Sequence, residues 1–345
     1  MPVVRTPPPA VTGPVLAIDI GGTKLAAALL DADGRVLTDR RTPTRADTAS
    51  AEEIYASLTQ LADDVAGGRP ITGVGVGCGG PMEWPAGRVS PLNIPAWLGF
   101  PLRERLAEHF PGLPVRLHND AVCVAAGEHW RGAGRGSRNL LGMVISTGVG
   151  GGLVLDGRLV DGESGNAGHI GHVVVEPDGP SCVCGGQGCL EAVARGPAVV
   201  RWARDHGWVG PPGASGPELV TDATAGDPVA IAALHRAGRA AGIAIASATA
   251  LCDLEVVSIG GGLSAAGDLL MAPLQDAVRR YARLPFARGV RVVSAELGQS
   301  AGLVGAAALV LAADRYWSAD AVTGSSATKP ASSSATRSGH SSGSR

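Results

Sequence analysis

The stretch Val15-Leu-Ala-Ile-Asp-Ile-Gly-Gly-Thr-Lys24, continued by an apolar run over 25–30 and by Asp31-Ala-Asp-Gly34, decides the fold. An apolar run closing on Asp19, a glycine turn, a second apolar run and an Asp-Gly pair predict strand, turn, strand, hairpin, strand. The same order returns about half a chain length later. Residues 141–146 are apolar, Thr147-Gly-Val-Gly-Gly-Gly152 predicts a turn, 153–155 a strand, and Asp156-Gly157 a hairpin. Leu155-Asp-Gly-Arg-Leu-Val160 also echoes Ala32-Asp-Gly-Arg-Val-Leu37. Repetition at this spacing predicts a duplicated α/β domain with a glycine turn in each half. Two such turns facing one another would hold a phosphate chain between them.

Working outward, Ser50 with Glu53 forms a capping box for a helix that Gly67-Gly68 ends. A strand is expected over 74–80 and another over 115–117, the latter followed by His118-Asn119-Asp120 and a helix to about Trp130. Asp227-Pro228 opens a long helix reaching about Leu251. A strand over 255–259 enters Gly260-Gly261-Gly262, and an Ala/Leu/Val helix over 302–314 closes the patterned region. The expected units are 14–135, completed by a C-terminal helix over 300–317, and 136–299. The ends, 1–13 and 318–345, lack apolar pattern and are expected to be disordered.

Composition narrows the function. The 345 residues are 45% hydrophobic and 17% charged, enough for sizeable cores. There are 51 glycines, a surplus that points to tight turns or close ligand approach. A net charge of −2, with Lys24 and Lys329 as the only lysines, offers no basic field for nucleic acid or anionic lipid. The longest uncharged runs, 139–155 and 297–313, are short for a membrane span, and the N-terminus has no apolar signal segment. A cytoplasmic setting is expected, so the six cysteines are read as core or metal residues and not as disulfides.

Cys182, Cys184 and Cys189 lie within eight residues, interleaved with glycines, with His172 ten residues upstream and His169 as a competing imidazole. Three thiolates and one imidazole make a closed tetrahedral Zn²⁺ set. With four protein ligands no position is left for a catalytic water, so the ion would be structural. Asp19 at a strand end beside Gly21-Gly22-Thr23-Lys24 could act on phosphate through backbone N–H groups, a hydroxyl and Mg²⁺. Asp120 is read either as a helix N-cap or as a general base that takes a proton from a hydroxyl during phosphoryl transfer. Asn119 beside it suits a polyol, and Glu191 would be held in place by the metal loop.

These residues together resemble the ROK family (repressors, open reading frames and kinases) over about 15–313. Asp19-Ile-Gly-Gly-Thr-Lys24 looks like its first phosphate loop, Ser146-Thr-Gly-Val-Gly-Gly-Gly152 its second, and Val256-Val-Ser-Ile-Gly-Gly-Gly262 its adenosine-side strand and turn. Gly171-His172 with Cys182-Val-Cys-Gly-Gly-Gln-Gly-Cys-Leu-Glu191 is the most specific match. The resemblance implies an actin-like (ribonuclease H-like) fold, two α/β lobes around a cleft. It implies an ATP-dependent sugar kinase with Asp120 as base. Sugar contacts fall on Gly80, Asn93, Asn119, Asp120, His169, His172 and Glu191. ATP contacts fall on Asp19, Gly21, Gly22, Thr23, Lys24, Thr147, Gly148, Gly150, Gly260, Gly261 and Gly262. The metal loop, 172–189, would hold Zn²⁺ on His172, Cys182, Cys184 and Cys189, with Mg²⁺ arriving with ATP.

One departure stands out. The family pattern Glu-x-Gly-His reads His169-Ile-Gly-His172 here, exchanging a pure acceptor for an imidazole that both donates and accepts. Family repressors carry a DNA-reading domain before the first phosphate loop; the short Pro-rich 1–14 segment leaves none expected. The implied protein is a glucokinase-type enzyme acting on a hexose 6-hydroxyl, as a homodimer or higher homo-oligomer. An N-acetylglucosamine or N-acetylmannosamine kinase is the nearest alternative, and a non-catalytic sugar sensor the alternative of another class.

Overall fold

The computed structural model describes residues 13–318. At the limits of the described residues, the Gly13 carbonyl accepts from the Thr72 hydroxyl and the Ser318 hydroxyl donates to Asp161. The rest of the expected disordered ends lies outside the described residues.

The first half runs β1 (Val15–Ile20), β2 (Lys24–Leu30), β3 (Val36–Pro43), α1 (Ala51–Ala66), β4 (Val74–Cys78), the small hairpin β5 (Met82–Glu83) and β6 (Arg88–Val89), α2 (Leu102–His109), β7 (Val115–Asn119) and α3 (Asp120–Arg131). The second runs β8 (Leu140–Ile145), β9 (Val149–Leu155), β10 (Arg158–Leu159), α4 (Leu190–Ala194), α5 (Gly196–Asp205), α6 (Gly216–Thr224), α7 (Pro228–Cys252), β11 (Val256–Gly260), α8 (Asp268–Tyr281), β12 (Arg291–Ser294), α9 (Ala301–Leu311) and α10 (Ala313–Tyr316).

The two sheets have one design. Their orders are β3-β2-β1-β4-β7 and β10-β9-β8-β11-β12. In each, the first three strands are antiparallel and the last two run parallel to the centre. The duplication expected from the repeated pattern is therefore present strand for strand, in the actin-like arrangement. β1 and β4 are buried on both faces, which is why they read as near-continuous apolar runs. The exposed edge β3 carries Asp39, Arg40 and Arg41, charges that discourage pairing with another chain.

Helices α3 and α9 follow the last strand of each half and are exchanged between them. α3 lies chiefly against β8 and β9 of the second sheet, and α9 against β1 and β4 of the first. They cross closely because of glycine: a β-carbon at Gly305 would stand 1.6 Å from the Cys123 carbonyl oxygen, and one at Gly127 2.5 Å from that of Ala301. This crossing joins the halves beneath the cleft.

Several expectations need correction. β4 ends at Cys78, leaving Gly79 and Gly80 in a loop. Gly150, Gly151 and Gly152 lie in β9, paired with Val144, Met143 and Gly142, and not in a turn. β-Carbons at Gly150 and Gly152 would meet Ala121 and Val122, so these glycines let α3 lie flat on the strand. The closing helix is two pieces, broken at Ala312. α7 is long and apolar enough to cross a membrane by length and composition, but it is a core helix, buried against α4, α5, α6 and α8.

Candidate active site

The loops at one edge of both sheets bring the predicted site residues together. Asp19 stands near the end of β1, between Ala26 and Gly77 of its neighbours, with its carboxylate against Gly302 at the start of α9. Burial, and then the Asp120 charge, push its carboxyl up to about 6. Gly21, Gly22 and Thr23 form the following turn, closed by the Gly21 N–H donating to Lys24 O at 3.0 Å. A β-carbon at Gly22 would stand 2.6 Å from Asn93, so the first turn rests directly on that side chain. Lys24 itself is exposed at the start of β2.

The N-cap of α3 is Asn119, not Asp120. Asn119 Oδ1 accepts from the Ala121 and Val122 N–H groups, at 3.0 and 3.4 Å. Its amide nitrogen is left facing Gly80, 3.3 Å from where a β-carbon there would sit. Asp120 is the first helical residue. Its Oδ1 accepts from its neighbour's N–H, on Ala121, at 2.8 Å, and Oδ2 points toward Gly79 and the Asn93 side. Burial raises its carboxyl above the ordinary range, opposed by that backbone hydrogen bond and by His169. A half-buried carboxylate with one oxygen tied and one free is arranged to accept a proton.

His169 and His172 come from the segment after β10. His169 Nδ1 lies 2.9 Å from the Asn166 carbonyl, which only accepts, so this nitrogen carries the proton. Nε2 is then the acceptor, and it lies 3.9 Å from a β-carbon built on Gly80. The two imidazoles are near-parallel with centres 6.4 Å apart. A short 3-10 turn, Ile170–His172, carries His172. It lies flush on β9 because residue 171 is glycine: a β-carbon there would stand 2.0 Å from Val149 O.

His172, Cys182, Cys184 and Cys189 offer four ligand atoms, all within 4.8 Å of one another. His172 Nδ1 is 3.7 Å from Cys182 Sγ, and Cys184 Sγ is 3.8 Å from Cys189 Sγ. A tetrahedral ion with metal–sulfur bonds of ~2.3 Å and metal–nitrogen bonds of ~2.0 Å separates sulfurs by about 3.8 Å and sulfur from nitrogen by about 3.5 Å. The donor set and its spacing fit such an ion. Burial and the neighbouring thiols push Cys189 up to about 12, a cost that a dication among the sulfurs reverses. His172, and not His169, belongs to this set. Next to the cluster, Glu191 Oε2 accepts the Val149 N–H at 3.0 Å and fixes the second turn, where Thr147 and Gly148 connect β8 to β9.

A cavity of about 590 Å³ opens beside that turn, lined by Ser146, Thr147, Gly196, Arg201, Arg204 and Gly262, among others. Its size suits a nucleoside. Gly260 ends β11, and Gly261, at φ 95°, turns the chain against Ile145 so that Gly262 reaches the cavity wall. Arg201 and Arg204 carry no motif; their i, i+3 spacing on one face of α5 is the signal a sequence reading could have used. Cys78 and Cys123 have thiols pushed well up by burial and are core residues.

The chain belongs to the ROK family, whose model matches residues 15–313. It is 35% identical over 309 residues to a glucokinase of Thermotoga maritima, covering 86% of this chain and 96% of that one. It is 36% identical over 300 residues to an N-acetylmannosamine kinase of Escherichia coli, covering 86% and 98%. Among solved structures it is similar to a ROK family glucokinase from Streptomyces griseus in complex with glucose and AMPPNP, at 34% identity, a TM-score of 0.74 and coverage of 86% and 99%. The fold is that of the ROK sugar kinases, and the chain is a sugar kinase.

Proposed function

We propose that the protein transfers the γ-phosphoryl group of Mg·ATP to the 6-hydroxyl of a hexose, glucose in the first place. The observation that carries this reading is the free Oδ2 of half-buried Asp120, set between Asn93, Asn119 and His169 and within electrostatic reach of Asp19. Asp120 Oδ2 takes the hydroxyl proton as the sugar oxygen attacks the γ-phosphorus, and the bond from phosphorus to the β–γ bridging oxygen breaks to release ADP. Gly80, Asn93, Asn119, His169, His172 and Glu191 form the sugar side. Asp19 with Gly21, Gly22, Thr23 and Lys24, then Thr147 and Gly148, face the phosphates, and Gly260, Gly261 and Gly262 the adenosine. The Gly150 N–H belongs to a sheet strand, so we assign that residue to packing under α3.

The Cys₃His set holds structural Zn²⁺ in this reading. His172 Nδ1 faces the ion, leaving Nε2 for the sugar, so the metal fixes the ring that meets the substrate. Asp19, held up by burial and by Asp120, is the residue that Mg²⁺ brought with ATP would relieve. The units 14–135 with 300–317, and 136–299, are the lobes that close over the substrates and exclude water. A cytoplasmic homo-oligomer without nucleic-acid or membrane partners completes the proposal.

A coupled ADP-release assay over about ten sugars tests it. Glucose-dependent ADP release at the highest kcat/KM supports a glucokinase. A higher value for N-acetylmannosamine or N-acetylglucosamine transfers the assignment to that sugar. Sugar affinity without ADP release leaves a sensor. His169→Glu is expected to reorder glucose, mannose and N-acetylated hexosamines by relative kcat/KM; an unchanged order removes His169 from selection.

A further inference from the structure

His118 stands directly before Asn119 at the end of β7, fully buried, and makes two polar contacts. Its Nδ1 accepts the Asn119 backbone N–H at 2.8 Å. Because that nitrogen accepts, the ring proton is on Nε2, which donates to Asp161 Oδ1 at 2.9 Å. Asp161 is itself 8% exposed, and its Oδ2 accepts from the Ser318 hydroxyl. β7 belongs to the first sheet, whereas Asp161 follows β10 of the second, so this bond crosses between the halves.

The segment that carries Asp161 also reaches the site at its far end. Asp161 O accepts from Ala167 N at 3.1 Å, and Asn166 O accepts from His169 Nδ1. A β-carbon at Gly165 would stand 2.2 Å from that of Trp84, so the segment lies directly on the first half. One stretch of the second half therefore meets the first at two points: the strand end before Asp120, and Trp84 in the turn between β5 and β6.

We propose that Asp161 is a positioning residue for phosphoryl transfer. It holds His118 in the Nε2–H tautomer, His118 holds the Asn119 backbone, and Asn119 sets the first turn of α3 from which Asp120 projects. A wrong tautomer puts a proton on Nδ1 against the Asn119 N–H and displaces the residue that caps the catalytic helix. The proposal rests on the reading of Asp120 as the base.

The test compares Asp161→Ala with Asp161→Asn in the full-length, metal-loaded protein. Alanine removes the acceptor, and kcat is expected to fall about 10- to 100-fold, as for other residues that orient a site through hydrogen bonds. KM for Mg·ATP should stay within about twofold, because the nucleotide cavity is untouched. Asparagine keeps an acceptor oxygen for Nε2–H and is expected to restore kcat to within about threefold of the parent. An alanine variant with parental kcat, or equal losses in alanine and asparagine, overturns the proposal. Should the alanine variant fail to fold, ¹⁵N NMR of the parent protein, with the His118 signal assigned by its loss in His118→Asn, decides: an Nε2–H ring supports the proposal and an Nδ1–H ring overturns it. Full activity of Asp120→Asn would instead sink the base assignment, whatever the tautomer of His118.

Discussion

The two halves share a strand order but not a chemistry. At the fifth residue of the central strand the first half has Asp19 and the second Val144, each beside a glycine of the next parallel strand, Gly77 or Gly260. The last strand of the first half delivers Asn119 and Asp120; that of the second ends in Ser294. The second half instead adds the Cys₃His loop and the α5–α6 wall of the nucleoside-sized cavity. The contrast teaches that duplication supplied two turns that diverged: the first gathers Asp19 and Asp120, while the second is tied to Glu191 through the Val149 N–H. The Asp120 charge already helps burial to raise the Asp19 carboxyl.

The sharpest way to break this comparison is Asp120→Asn. If the first half alone carries the base, kcat should fall about 10²- to 10⁴-fold in the ADP-release assay, with sugar affinity by calorimetry little changed. Removal of the metal tests the second half. Chelation, or Cys189→Ser, should lower sugar affinity about 10- to 100-fold, by loosening His172 and Glu191, in step with metal content by elemental analysis. Loss of metal with sugar affinity intact would make the loop independent of the sugar site.

The seam between the halves comes next. Gly305→Ala drives a β-carbon into the Cys123 carbonyl and should cost about 1–3 kcal/mol by urea denaturation. Gly289→Ala, with open space around it, should change stability by less than about 0.5 kcal/mol. A pH-dependent effect concerns Asp19. Its carboxyl is raised from 3.8 to about 6 on folding, so the folded state holds this proton more tightly than the unfolded chain. The stability it contributes is complete below pH 3.8 and is lost as pH rises through 6. Without Mg·ATP, Asp19→Asn should therefore raise Tm at pH 7.5, and the difference should shrink on acidification. An unchanged difference would place Asp19 in contact with solvent or a cation.

Much of this site was legible from local signals. The strand–turn–strand pattern, the Ser50–Glu53 box and the Asp227-Pro228 start each depend on residues within one or two turns of one another, and all three stand as read. The cysteine cluster was legible because thiols so close in sequence can meet around one ion. Of the two readings of Asp120, cap or base, the structure removes the cap: Asn119 and Asp120 are equally able caps, and only the strand's end decides for Asn119. Gly150 and Gly152 look like turn residues in the sequence because nothing local announces the helix that presses on them.

The sequence by itself determined the repeated element order, the first glycine turn, the clustering of three cysteines and the acids available for chemistry, because these follow from short-range periodicity, backbone freedom and side-chain type. The exchange of α3 and α9, the contact of Asn93 with Gly22, the reach of Arg201 and Arg204 to the 590 Å³ cavity and the bond from His118 to Asp161 were decided only by tertiary structure. Their partners lie tens to hundreds of residues apart, and close packing of the two halves, not any local preference, brings them within a few ångströms.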